Sequence, residues 1–181
     1  SDAEVRRADA WIEDHYRFIQ HPKRSPGLQW LLDVAEVAVV REGCRALVID
    51  PWNKLERTRA DRQSETDYIG QVLDEMMVFA TDLNCHVQII AHPSKSDATT
   101  RGKPPELEHI AGSKAWETKP DQGFVMYRPE LFKGGKRMTG CEFYVKKTRF
   151  EELGHPRRYD MRLDLETGRY VSMDYENDYT R

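Results

Sequence analysis

Four stretches of this chain end on residues able to do chemistry. Leu47-Val48-Ile49-Asp50 is an apolar run that closes on an acid. A run of that kind suits a parallel strand buried on both faces, and α/β sheets bind ligands at the carboxyl ends of such strands. An Asp there can hold Mg²⁺, usually through water, with the metal bridging phosphate oxygens; it can equally cap a loop. Ile89-Ile90-Ala91-His92 closes a second apolar run on a His, able to hydrogen-bond a terminal phosphate or to cap the loop that follows. In Gly112-Ser-Lys-Ala-Trp116, small residues and a lysine lead into a short helix. That setting suits a phosphate held on backbone amides, or an ordinary cap at Ser113 with Trp116 in the core. Lys146-Lys147-Thr148-Arg149 ends a strand whose alternation puts Lys147 and Arg149 on one face. Two such cations can address a triphosphate, or simply keep a strand edge from aggregating.

These groups need elements to carry them. The opening reads as a helix: Ser1 and Glu4 match a capping box, and Val5, Ala8, Ile12, Tyr16 and Ile19 follow helical spacing. After a break at His21–Gly27, Ser25 can cap a second helix with Pro26 in its first turn. Its apolar face is Leu28, Leu31, Leu32, Ala35 and Val39, and Gly43 closes it. Arg45–Asp50 reads as a strand, and residues 51–63 as irregular. Ser64 caps a long helix with Ile69, Val72, Leu73, Met76, Ala80 and Leu83 on one face, stopped by Asn84. His86–Ala91 is a second buried strand. Residues 93–109 form a polar loop with Lys95, Arg101 and Lys103, of a length that is usually either functional or disordered. Gly123–Tyr127 is a third strand. Alternating strands follow at Glu142–Thr148, Arg158–Leu165 and Arg169–Ser172, the last two joined at Thr167-Gly168. The pattern predicts one α/β domain: a helical lead-in over 1–43, a βαβ core over 44–128, and antiparallel hairpins over 129–181.

Composition excludes several classes. With 181 residues the chain is the size of one domain, and a third of its residues are charged. Ala46–Ile49 and Val87–Ala91 are far too short to cross a bilayer, so no membrane partner is expected. Residues 1–20 lack the basic start and apolar block of a signal peptide. Cys44, Cys85 and Cys141 are odd in number and lack CxxC spacing, which fits free thiols rather than a disulfide frame or structural zinc. The net charge of −3 argues against a general nucleic-acid coat. Between Arg128 and Arg158, however, nine Lys/Arg stand against four Asp/Glu, an excess that can hold a polyanion at one face or simply make a solvated charged hairpin.

Singly these motifs are ambiguous; their order is more specific. Asp50 in VIDPWNKLE, then TDYIGQVLDEMMVFATD, HVQIIAHPSK, IAGSKAWETKPDQGFVMYR, YVKKTRF and ETGRY together resemble the DnaB-like replicative helicase superfamily. The likeness runs over residues 5–172 and is nearest the Twinkle and phage primase-helicase branch, where a His ends the sensor strand. It implies a RecA-like P-loop NTPase core, partial here, with parallel strands and an antiparallel C-terminal hairpin edge. It also implies hexameric rings on single-stranded DNA that unwind duplex DNA with ATP or another NTP and Mg²⁺. By the same resemblance Asp50 is the Walker B acid that positions Mg²⁺, and His92 is the γ-phosphate sensor. Lys147 and Arg149 match the Lys-x-Arg pair that reaches a neighbouring subunit's nucleotide, with Arg149 as the arginine finger. Residues 93–114 match a DNA-channel loop, with Lys95, Arg101, Lys103, Ser113 and Lys114 as candidate contacts. The compartment implied is bacterial or phage cytoplasm, with organellar homologues of the same type.

The sequence departs from that pattern in two respects. No G-x-x-x-x-G-K-[ST] loop is present: Gly102-Lys103-Pro104 and Gly135-Lys136-Arg137 contain the dipeptide without the Ser/Thr. Pro51 follows Asp50, so no acid neighbour stands in for a catalytic Glu. The expectation is a fragment beginning after the phosphate loop and inactive alone. The strand feeding that loop belongs between His86–Ala91 and Gly123–Tyr127; direct pairing, or a strand from another molecule, is expected to close the gap. The competing readings are another RecA-like ATPase and a non-catalytic DNA-binding or ring-assembly module. A metal nuclease on Asp50, His92 and Asp97 lacks a second acid at a strand end.

Overall fold

In a computed structural model the chain is described at residues 1–21, 26–56, 62–93, 102–110, 113–129, 132–133 and 136–173. It divides into two compact units, Ser1–Asp61 with Glu75–Ala91, and Arg62–Asp74 with His92–Arg181.

In the first unit, α1 (Asp2–His15) begins with the capping box formed by Ser1 and Glu4. It stops at His15, where Tyr16 turns extended, so Ile19 lies past the helix, and no residue of α1 is buried. α2 (Leu28–Glu42) buries Leu31, Leu32 and Ala35. Its N-cap is Gly27, one residue after Pro26 rather than before it; Ser25, the expected cap, lies outside the described residues. Gly43 ends it at φ 74°, a left-handed conformation that glycine adopts without a side-chain clash. β1 (Ala46–Ile49) and β2 (His86–Ile89) pair in parallel, Ala46 opposite His86 and Ile49 opposite Ile89. The expected burial of both strands is corrected: in β1 Leu47 and Ile49 are buried while Ala46 and Val48 are exposed, and in β2 His86 and Gln88 are exposed with Val87 and Ile89 only half-buried. A two-stranded sheet with a single covered face gives this alternation.

α3 (Glu65–Asp82) carries the densest apolar face, with Ile69, Val72, Leu73 and Met76 all nearly inaccessible. Burying each side chain of that size stabilises by about 1.5–3 kcal/mol. Ser64 caps it, its hydroxyl accepting the Asp67 amide at 3.1 Å. Asn84 follows its end at φ 48°.

The second unit is built on an antiparallel sheet in the order β3 (Gln122–Tyr127), β6 (Gly140–Thr148), β7 (Arg157–Leu163), β8 (Tyr170–Ser172). A two-residue ladder, β4 (Phe132–Lys133) with β5 (Lys136–Arg137), stands apart from it. β7 ends two residues earlier than alternation predicts. Asp164 takes the Glu166 amide at 2.9 Å and the Thr167 hydroxyl at 2.8 Å, which turns the chain toward Gly168. Gly123 on β3 has a close neighbour: a Cβ there would lie 2.3 Å from Leu107 Cδ1, so glycine lets the buried Leu107 approach the strand. Arg128 lies 5.5 Å over the Tyr170 ring and donates to its hydroxyl, linking the end of β3 to β8. Among the described residues β2 pairs with β1 alone and β3 with β6 alone.

Candidate functional site

The ladder between β1 and β2 continues past both strands. The Ile90 amide donates to the Ile49 carbonyl at 2.9 Å, and the Trp52 amide donates back to the Ile90 carbonyl at 2.8 Å. Trp52, only 3% exposed, anchors the turn after β1. Between these tied points Asp50 leaves the carboxyl end of β1 with its side chain exposed. Trp52 is an anchor the sequence does not announce, because it sits in a segment too short and polar for periodicity to mark.

His92 follows Ala91 directly and is the first residue of its segment in the second unit, exposed, beside the antiparallel bridge of Pro93 with Ile110. Asp50 and His92 thus belong to different units. Among the described residues no three His, Cys, Asp or Glu side chains gather as a metal cage. One exposed carboxylate at a strand end fits Mg²⁺ of the kind that keeps its waters and shares substrate phosphates.

The two cations come together as expected. Lys147 Nζ donates to the Glu117 carbonyl at 2.6 Å and the Thr118 carbonyl at 2.8 Å, at the end of α4 (Ala115–Thr118). Arg149 Nη2 donates to the next carbonyl, that of Lys119, at 2.6 Å, and its Nη1 lies 2.7 Å from Asp121 Oδ1. Helix-end carbonyls lack partners within the helix, so cations on the adjoining strand satisfy them. Burial, and then repulsion from Arg149, hold the Lys147 ammonium below its ordinary pKa. Lys119 is itself fixed, its Nζ donating to both Asp74 oxygens at 2.5 Å.

Of the DNA-contact candidates, Lys95 and Arg101 lie outside the described residues, as do Asp97 and Gly112. Lys103 and Lys114 are exposed. Ser113 is different. It is 1% exposed, and its hydroxyl accepts the Ala115 amide at 3.2 Å, with Trp116 buried beside it in sequence. Its side chain is therefore spent in the core and on the first amide of α4, whose N-cap is Lys114 rather than the expected Ser113. The C-terminal part of the loop is pinned by Leu107 under β3 and by Glu106, which pairs with Lys146 at 2.7 Å.

Asp121 gains a role only in the folded chain. It comes opposite Arg149 because Gln122 pairs with Thr148, and the Arg149 amide donates to the Asp121 carbonyl at 2.8 Å. An acid at that place is visible in the sequence, but its partner depends on the register of two strands separated by a long connection.

No protein-family model matches the chain. Its sequence is 34% identical over 161 residues to the Twinkle homolog protein, chloroplastic/mitochondrial, of Arabidopsis thaliana. That match takes in 88% of this chain and 22% of the relative, so the chain spans about a fifth of the relative's length. Among solved structures, an ATPase domain matches at TM-score 0.68 and 21% identity, over 83% of this chain and 53% of that one. A DnaB-like replicative helicase, solved in a study of its interactions with primase, matches at TM-score 0.66 and 21% identity, over 83% and 36%. The fold is that of RecA-like helicase ATPase domains, mixed α/β with a parallel pair and an antiparallel hairpin sheet.

Proposed function

We propose that this chain, a member of the DnaB-like helicase superfamily on its Twinkle side, is part of the NTP-driven motor of a ring-forming replicative DNA helicase. The observation that carries the reading is the tied carboxyl end of β1 and β2, where Asp50 is presented to solvent and the chain runs straight on to His92. Asp50 would hold Mg²⁺ through water, and the metal supplies charge neutralisation at phosphate oxygens. His92 contacts the γ-phosphate and registers its loss. Lys147 and Arg149 face the nucleotide of an adjacent protomer, where fixed positive charge is strongest against the charge of the transition state. Lys103 and Lys114, with Lys95 and Arg101, hold the phosphates of single-stranded DNA; such contacts give affinity without sequence preference. Ser113 serves that loop by holding the Ala115 amide, which fixes the backbone on either side of Lys114. The ring is a hexamer, working wherever its source replicates DNA, in bacterial or phage cytoplasm or in an organelle.

No G-x-x-x-x-G-K-[ST] loop occurs among the 181 residues, and this favours a second reading for the chain in isolation, a non-catalytic ring or DNA-binding part. One assay separates the two. The natural protein carrying this chain is mixed with a forked DNA duplex, one strand fluorescent, and NTP with Mg²⁺. The motor reading expects strand release that needs a hydrolysable NTP, while the 181-residue chain alone shows no turnover above a buffer blank. Binding to the fork without strand release would favour the non-catalytic reading.

A further inference from the structure

We infer that Asp121 is the positioning residue for Arg149, holding its guanidinium in the orientation that meets a phosphate of another protomer. The inference rests on the proposed role of Arg149. A guanidinium has five N–H donors in a rigid planar fork. Here one terminal nitrogen is taken by the Asp121 carboxylate at 2.7 Å and the other by the Lys119 carbonyl at 2.6 Å. Both acceptors are themselves fixed. Asp121 is tied through its own carbonyl to the Arg149 amide, and Lys119 is clamped to Asp74. Two of the five donors are thus spent on orientation, and three are left for a ligand. An exposed Arg would otherwise lose rotamer freedom on meeting a phosphate; a two-point grip lowers that loss in advance. Lys147 sits beside it on the preceding carbonyls, so both cations are set by one short run of backbone, Glu117–Lys119. Asp121 touches neither nucleotide nor metal in this scheme and acts only through Arg149.

The test is steady-state NTP hydrolysis by the natural, assembled protein with single-stranded DNA present. Wild type is compared with Asp121→Ala, Asp121→Asn, Arg149→Ala and the double variant Asp121→Ala/Arg149→Ala, ring assembly being checked for each. Asp121→Ala is expected to lower kcat about 10- to 100-fold with KM within about 3-fold of wild type, because orientation and not ground-state binding is lost. Asp121→Asn keeps an acceptor and is expected to recover part of that loss. The double variant is expected to be no slower than Arg149→Ala alone, since residues acting as one unit are not additive. An unchanged kcat in Asp121→Ala, or losses that multiply in the double variant, would overturn the inference. If Asp121→Ala does not assemble, Asp121→Asn and its double with Arg149→Ala are read by the same criterion. Wild-type turnover by Arg149→Ala would instead overturn the role of Arg149 itself, and the inference with it.

Discussion

Replacing Arg149 with alanine is expected to lower NTP turnover by the assembled protein about 10³-fold or more, the range that an arginine reaching into a phosphoryl-transfer site supplies. The size of the effect follows from where the charge acts. In the ground state a bound metal and backbone amides would already neutralise the phosphates, so nucleotide affinity is expected to change only a few-fold. In the transition state charge spreads over the γ-phosphoryl oxygens, and a fixed guanidinium in a water-poor interface stabilises it strongly. The structure contributes the fixing: Arg149 is held at both terminal nitrogens and stands next to Lys147, which donates to the two preceding carbonyls. Kinetics of Arg149→Ala over a range of NTP concentrations check this directly. A raised KM with unchanged kcat would assign Arg149 to ground-state binding instead.

The second large effect is expected at Asp50. Asp50→Asn keeps the size and the loop-capping ability of the side chain and removes only its charge. Metal assistance is worth several kcal/mol, so turnover is expected to fall on the order of 10²–10³-fold, and the Mg²⁺ concentration for half-maximal rate to rise. The substitution also separates the two readings that the sequence leaves open. If Asp50 only caps the turn after β1, Asn replaces it without loss, because Asn caps as well as Asp does. If Asp50 positions the metal, folding is preserved and turnover is lost. Thermal unfolding and a Mg²⁺ titration on the same variant distinguish the outcomes.

What the sequence made legible follows from the range of the interactions involved. The apolar face of α3, from Ile69 to Met76, and its cap at Ser64 are local patterns, and both stand in the structure as the spacing implies. So does the pairing of Lys147 with Arg149, since strand alternation needs only neighbouring residues. The strand end at Leu163 was harder to read. Alternation continues to Leu165, but the Asp164 side chain captures the following backbone, and local side-chain hydrogen bonding outweighs the pattern. The burial of β1 depended on how many faces of its sheet are covered, which no apolar run encodes. Asp121 depended on strand register across the whole connection from β3 to β6. Residues that carry the proposed chemistry directly announced themselves through type and position at strand ends. The residue that holds one of them in place did not, because its meaning lies entirely in a contact made after folding.

The proposed chemistry needs a nucleotide site completed by two protomers, Asp50 from one and Arg149 from the other. Mixing Asp50→Asn and Arg149→Ala proteins before assembly tests that division most directly. Each is expected to be slow alone, but in a mixed ring an interface joining the intact Asp50 of one protomer to the intact Arg149 of the next is whole. In an equal mixture about one interface in four has that arrangement, so turnover is expected to recover toward a quarter of wild type. A mixture no faster than its two components would contradict a shared site and put both residues on the same protomer's nucleotide.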